Sequence, residues 1–346
     1  MKKYLLPENG KFFKANLHCH STFSDGKLSP EQLKKEYMAR GYSIIAFTDH
    51  NILVSHNHLS DENFLALNGM EIDFYEGWNP EFIDEGKTYL TWKGCHLNFI
   101  SLSADNITQP CFHRTKNRII GTGDKYSHLI KFDSTKPDFE KHYSPEGVSR
   151  AIKEARDNGF FVIYNHPAWS FEDYNFFLNY NGLHAMEICN NASVVEGLDD
   201  YTPRTYDDFL RAGHKIFCVG ADDNHNKFPL DSRKCDSFGA FTVIKADKLD
   251  YPSIASALLS GNFYASQGPE IYSLIREDDT VTIECSPCDK IRFTTDNRRC
   301  NIVYDENGQG ITKATFALSK ECKYFRLTIT DKFGKNANTN AYFINE

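Results

Sequence analysis

Three times along the chain, a stretch with helical hydrophobic spacing is followed by a short unbroken apolar run. Ser29 and Pro30 supply an N-cap and a first-turn proline, EQLKKEYMAR carries the helix, Gly41 ends it, and SIIAF follows. Ser144 and Pro145 open a second helix that Gly159 closes ahead of FFVIY. Pro203 begins a third, RTYDDFLRA, which Gly213 closes ahead of KIFCV. Apolar strands alternating with amphipathic helices predict parallel βαβ units, buried on both faces and most readily closed as a barrel. Beyond Gly268 and Pro269 the period changes to two, in TVTIEC, KIRFTT, NIVYDE, KATFAL, YFRLTITD and NAYFI. That pattern predicts a small antiparallel, sandwich-like all-β domain of about six strands. The expected organisation is an α/β barrel over 1–268 and a β domain over 269–346. The second part holds no histidine and is assigned to packing, substrate fencing or dimerisation. Residues 75–94 and 104–143, rich in aromatics, Lys and Asp, are expected as insertions among the rim loops.

In barrels of this kind the chemistry sits where side chains from several strands converge at their C-terminal ends. Each apolar run here leads into groups able to ligate a metal. SIIAF ends in Thr48, Asp49 and His50, FFVIY in Asn165, His166 and Pro167, and KIFCV in Gly220, Ala221, Asp222, Asp223, Asn224 and His225. Upstream, His18 and His20 are two apart in an extended segment and share a face, and Asp25 follows where Gly26 permits a tight turn. Singly, each has an ordinary reading: a half-exposed strand, a helix start, a loop ending before proline. Together they predict a metal site.

The set HCHSTFSDG, TDHN, GMEI, CHLNFISL, NHP and GADDNH resembles, in order and spacing, the PHP (polymerase and histidinol phosphatase) family of metal-dependent phosphoesterases, over roughly residues 12 to 268. The resemblance implies a distorted seven-stranded (β/α) barrel holding two or three divalent ions. His18, His20, Glu71 and Asp223 would hold one ion; Asp25, His50 and His225 a second; Glu71, His96 and His166 a third, with Glu71 bridging. The oxygen ligand Asp25 keeps manganese and iron beside zinc, with magnesium as a further choice. The implied reaction is hydrolysis of a small-molecule phosphomonoester, such as a nucleotide or sugar phosphate, by a hydroxide bridging the metals. Asp49 and Asp222 are the side-chain candidates for protonating the leaving oxygen, with a metal-bound water as the third choice. Arg204 and Arg114 are the preferred phosphate-binding candidates, because a guanidinium pairs two oxygens at once.

Composition narrows the classes. The 346 residues carry a formal net charge of −8, so no broad basic surface is offered to a nucleic acid polymer. The start MKKYLLPENGK has too short an apolar patch for a secretory segment, no stretch predicts a membrane span, and the cytoplasm is the default expectation. A homo-oligomer stays open. The ten cysteines read as reduced core residues; Cys285 and Cys288 form a C-x-x-C, but Cys300 and Cys322 do not supply the second close pair of a zinc knot. No G-x-S-x-G, Walker loop or G-x-G-x-x-G is placed for chemistry. Two alternatives stand beside the phosphoesterase: a metallohydrolase of carboxylic esters or amides, and a non-catalytic metal-stabilised binding module.

Overall fold

The computed structural model describes residues 2–75, 93–121 and 123–344. Most of the expected 75–94 insertion therefore lies outside the described residues. In chain order the strands of the larger part are β1 (Lys2–Tyr4), β2 (Lys11–Asn16), β3 (Tyr42–Phe47), β4 (Leu65–Tyr75), β5 (Gly94–Ser101), β6 (Phe160–Tyr164), β7 (Ala185–Asn190), β8 (Phe217–Ala221), β9 (Phe241–Ala246) and β10 (Phe263–Ser266). The helices are α1 (Pro30–Met38), α2 (Pro145–Asp157), the single turns α3 (Pro167–Ser170) and α4 (Tyr174–Phe177), α5 (Asn191–Glu196), α6 (Pro203–Arg211) and α7 (Tyr251–Ser260). All three helix-and-run repeats thus form as expected, on α1–β3, α2–β6 and α6–β8. Ser29 caps α1 in a capping box with Gln32, and Ser144 caps α2 through the Gly147 amide.

Strands β2 to β8 lie side by side in sequence order, with β9 and β10 continuing past β2. β2, β3 and β4 are mutually parallel, as are β6, β7 and β8. β5, which no helix-and-run repeat precedes, is antiparallel to both its neighbours. Its beginning therefore lies level with the ends of the other strands, so His96, near the start of β5, reaches the same rim as residues that follow β3 and β8. The sheet is curled: Phe161 and Ile163 of β6 pack inward with Ala15, Ile44, Leu67 and Val219, while Phe160, Val162 and Tyr164 face out against α2 and α6. The expected closed barrel is not formed as a backbone ladder among the described residues. β8 meets β9 through one side chain: the Gly220 amide donates to Thr242 Oγ1 at 3.2 Å, and that hydroxyl donates to the Gly220 carbonyl at 3.0 Å.

The period-two region supplies β11 (Ile271–Glu277), β12 (Thr280–Cys288), β13 (Lys290–Thr295), β14 (Asn301–Tyr304), β15 (Ile311–Ala317), β16 (Tyr324–Thr330), β17 (Asn336–Thr339) and β18 (Tyr342–Phe343). One sheet runs β1-β11-β12-β15; the other strands join the large sheet, because β17 pairs with β10. The chain's first strand thus lies in the second region, and one hydrogen-bonded ladder crosses Gly268. Ile283, Phe293, Phe316 and Leu327 fill the space between the two sheets and are continuous with Tyr37 and Phe47 of the larger part. Cys285 and Cys288 are buried there with their sulfurs 3.9 Å apart, and the described cysteines are all free thiols. No helix among the described residues is long and apolar enough to cross a membrane.

Candidate metal centre

His18 and His20 lie just past the end of β2, in a segment held extended on both sides. The His20 amide donates to the Asn224 carbonyl at 3.2 Å, the Asp223 amide to the His18 carbonyl at 3.0 Å, and the Thr48 amide to the Cys19 carbonyl at 2.9 Å. Both rings turn to one face, as their spacing requires. Their Nε2 atoms stand 3.1 Å apart, and Asp223 Oδ1 is 3.1 Å from the first and 3.0 Å from the second. Gly26 is needed at the turn carrying Asp25, because a Cβ there would sit 2.5 Å from the His20 carbonyl oxygen. Three other members or neighbours of the site, Asn51, His166 and Asp223, hold positive φ without being glycine. Such backbone costs energy and persists where the surrounding structure imposes it.

Glu71, on β4, lies at the centre. Its carboxylate oxygens stand 2.9 Å from His50 Nδ1, 3.1 Å from His96 Nδ1, 3.3 Å from His166 Nε2 and 3.3 Å from His18 Nε2. Asp25 completes a second group, 3.4 Å from His225 Nε2, 3.8 Å from His50 Nε2 and 3.9 Å from His20 Nδ1. All nine side chains singled out in the sequence thus meet at one cleft: eight fall into the overlapping groups His18, His20 and Asp223; His20, Asp25, His50 and His225; and His50, Glu71 and His96; the ninth, His166, joins through Glu71. The grouping differs in detail from that implied by the resemblance. His20 joins the Asp25 group and His50 the Glu71 group, because each imidazole presents its two nitrogens to different neighbours.

The cluster is buried, and its charges answer one another. Burial pushes His20 down to about 3, helped by His225 and His50. Burial also opposes charge on His50, yet Glu71 and Asp25 carry it up to about 9. Glu71, Asp25 and Asp223 are held below the usual carboxylate range despite their burial, Glu71 by His18 and His96, Asp25 by His225, and Asp223 by His18 and His20. One buried ring nitrogen, His166 Nδ1, has no hydrogen-bond partner. Facing imidazole nitrogens with a shared carboxylate oxygen leave more lone pairs than protons. That nitrogen-and-oxygen donor set fits divalent cations of the manganese, iron or zinc type.

Several partners of the cluster were not singled out from the sequence. Glu187, fully buried on β7, takes His18 Nδ1 at 2.8 Å and the His166 amide at 2.8 Å, fixing both. A carboxylate inside the apolar run AMEICN was the available signal. Asn165 donates to Glu71 at 2.7 Å, Tyr75 Oη lies 2.7 Å from His96 Nε2, and Trp169 packs against His96 and His166. Lys227, two residues after His225, lines the cleft.

The candidate acids and arginines are placed elsewhere. Asp49 is buried beneath the cleft, accepting from the Ser21 amide and from the hydroxyls of Ser21 and Ser24 at 2.6–2.8 Å, so it anchors the loop before Asp25. Asp222 is turned away from the cleft and accepts from Tyr37 and from the amides of Phe238, Gly239 and Ala240. Its lone pairs are taken up in fixing the turn before β9. Arg204 is exposed on α6, and its Nε donates to both carboxylate oxygens of Asp208 one turn later, at 2.9 Å each. Arg114 is held by Asp138 at 2.7 Å and lines a small separate cavity with Phe132. In each case a nearby carboxylate, not the cleft, claims the guanidinium.

The PHP domain family profile matches residues 16–219, more than half of the chain, which therefore belongs to the PHP domain family. A 5'-3' exoribonuclease of Haemophilus influenzae is 30% identical over 92 residues, covering 27% of this chain and 29% of that relative. Among solved structures, a two-domain protein of Bacteroides vulgatus containing a predicted PHP-like metal-dependent phosphoesterase aligns over 99% of this chain and 98% of its own, at 16% identity and a TM-score of 0.44. An amidohydrolase of Chromobacterium violaceum, with bound sulfate and no metal, aligns over 61% of this chain and 87% of its own, at 15% identity and a TM-score of 0.35.

Proposed function

We propose that the protein is a metal-dependent phosphoesterase releasing inorganic phosphate from a small-molecule phosphomonoester. The observation that carries this reading is the convergence of nine imidazole and carboxylate groups on one cleft of about 210 Å³, centred on Glu71. Asp25, Glu71, Glu196 and Asp223 line it against a single lysine, so a phosphate dianion would be repelled unless cations stand between. His18, His20 and Asp223 would hold one cation, Asp25, His50 and His225 a second, and Glu71, His96 and His166 a third. Bound divalent ions would neutralise the phosphate oxygens and acidify water within the cleft.

The chain's own residues supply the rest. Glu187 and Asn165 fix the rings and carboxylate of the cluster, and Trp169 covers one side of it and limits water. Lys227 is the one Lys or Arg lining the cleft among the described residues, and it takes the phosphate-binding role first considered for Arg204 and Arg114. With Asp49 and Asp222 saturated by donors, the leaving oxygen takes its proton from solvent.

The test is phosphate release across a panel of phosphomonoesters, aryl carboxylic esters and short oligoribonucleotides, with elemental analysis of the purified protein. Metal-dependent release from phosphomonoesters is expected. Equal or greater turnover of the carboxylic esters, faster cleavage of the oligoribonucleotides, or a protein that retains no divalent metal overturns the reading.

A further inference from the structure

Beside the metal cleft lies a second and much larger cavity, of about 970 Å³. Tyr75 belongs to the walls of both, with its hydroxyl 2.7 Å from His96 Nε2. Asn51, next to His50, and Asp73, two residues beyond Glu71 on the same face of β4, lie on its border with the cluster. The two spaces adjoin at the Tyr75 side chain. The cleft is sized for a phosphate, and the groove for something several times larger.

The groove's charges cancel. Its lining holds Lys116, Arg118 and Lys141 beside an equal number of carboxylates, Asp73, Asp124 and Glu140. Lys141 Nζ lies 2.5 Å from Asp73 and 2.8 Å from Asn51, and Lys116 Nζ lies 2.8 Å from Glu140, which also takes His113 at 3.0 Å. A second phosphate would have to part Lys141 from the buried Asp73 to use that cation, while the Lys116–Glu140 pair stands at the exposed rim. Five aromatic rings share the lining, Phe74, Tyr75, Phe139, Tyr143 and Phe176, and Tyr143 and Phe176 stack with centroids 4.9 Å apart and planes at 21°. Flat rings set beside a neutral polar rim favour an uncharged aromatic group.

We propose that this groove is the leaving-group subsite, and that it takes an uncharged, aromatic-ring-bearing alcohol esterified to the phosphate held in the cleft. The proposal rests on the phosphoesterase reading and narrows it, setting ring-bearing monoesters above sugar phosphates and bisphosphates.

Its test compares 2-phenylethyl phosphate with ethyl phosphate, whose alkoxide leaving groups are of similar basicity, on the manganese-loaded full chain. The expected ratio of kcat/KM favours the phenylethyl ester by about tenfold or more, and it falls by about tenfold in Phe176→Leu, which keeps an apolar side chain but removes the ring. Because the readout is a ratio within one sample, partial misfolding cancels. A ratio near one, or one unchanged by Phe176→Leu, overturns the proposal. If neither ester is hydrolysed, the phosphoesterase reading stands or falls on the wider panel, and the groove is judged by calorimetric binding of 2-phenylethyl phosphate. Binding weakened several-fold in Phe176→Leu then supports the subsite, and equal affinity or none in the wild type overturns it.

Discussion

Arg326 on β16 and Asp207 on α6 form a buried ion pair that is complete in itself. Nε and Nη2 fork onto the two carboxylate oxygens at 2.7 and 2.9 Å, and Nη1 goes to Thr328 at 3.1 Å. The cleft gathers its charges without closing them into pairs: two ring nitrogens face each other 3.1 Å apart, five histidines crowd the Glu71 carboxylate, and His166 Nδ1 has no hydrogen-bond partner. The difference separates structure from function within one core. A buried charge that finds all its hydrogen bonds inside the protein is a fastening; a cluster with surplus lone pairs is arranged for a cation. Two adjacent residues repeat the contrast, Asp222 with four donors and Asp223 with histidines.

Removing the central carboxylate charge is the strongest way to break this comparison. Glu71→Gln keeps the shape and takes away the oxygen charge shared by His18, His50, His96 and His166. Phosphate release is expected to fall by about a thousandfold or more, with the loss of at least one ion per chain by elemental analysis. An unchanged metal content would remove Glu71 from the centre of the site.

Arg326→Ala tests the other region. It strands Asp207 without a partner and is expected to cost about 3–5 kcal/mol in denaturant unfolding, while Arg326→Met with Asp207→Leu recovers most of that. Metal content per folded chain should be the same in all three proteins. A parallel loss of metal would show that fastening and site are one unit.

What could be read without the structure follows the range of the signals. The repeats on α1–β3, α2–β6 and α6–β8 were legible because caps, helical period and apolar run all lie within a few residues of one another. The nine cleft residues were legible as a set because strand ends converge in such folds. The reversed direction of β5 was not, since strand pairing is decided by distant segments. Nor was the union of β17 with β10, which carries the sheet across Gly268. Arg204 and Arg114 went astray because a charge is visible in sequence and its partner often is not, although Asp208 at the i,i+4 position of Arg204 was a local warning. Asp49 and Asp222 stood at the right strand ends, but side-chain direction separated them from the cleft.

A pH titration sharpens the comparison with a smaller effect. Glu172 accepts from Tyr164 at 2.7 Å and from Tyr180, behind the turn carrying His166 and Trp169, and burial pushes it up to about 7. Its ordinary value is 4.5, so between the two the unfolded chain has given up a proton that the folded chain keeps. The favourable contribution is therefore fully present below about 4.5 and is lost as pH rises toward about 7, on the order of 3 kcal/mol. Glu172→Gln should flatten that part of a plot of urea midpoint against pH. A slope identical to that of the wild type would assign the loss to other groups.

The smallest effect comes from the helix that supports the cleft from behind. Gln32 N donates to Ser29 Oγ at 3.3 Å and Ser29 N to Gln32 Oε1 at 2.9 Å, closing the start of α1. The same helix carries Tyr37, whose hydroxyl donates to Asp222 at 2.9 Å and so reaches the residue beside Asp223. Ser29→Ala removes one cap acceptor and should lower unfolding stability by about 1 kcal/mol. Because Asp222 keeps its three backbone donors, Asp223 should stay in place, and the metal content and phosphate-release rate of the folded protein should match the wild type. A fall in metal content at so small a stability cost would mean that the cleft depends on the seating of α1 as much as on its own ligands, and that the line drawn between fastening and site lies too close to Asp222.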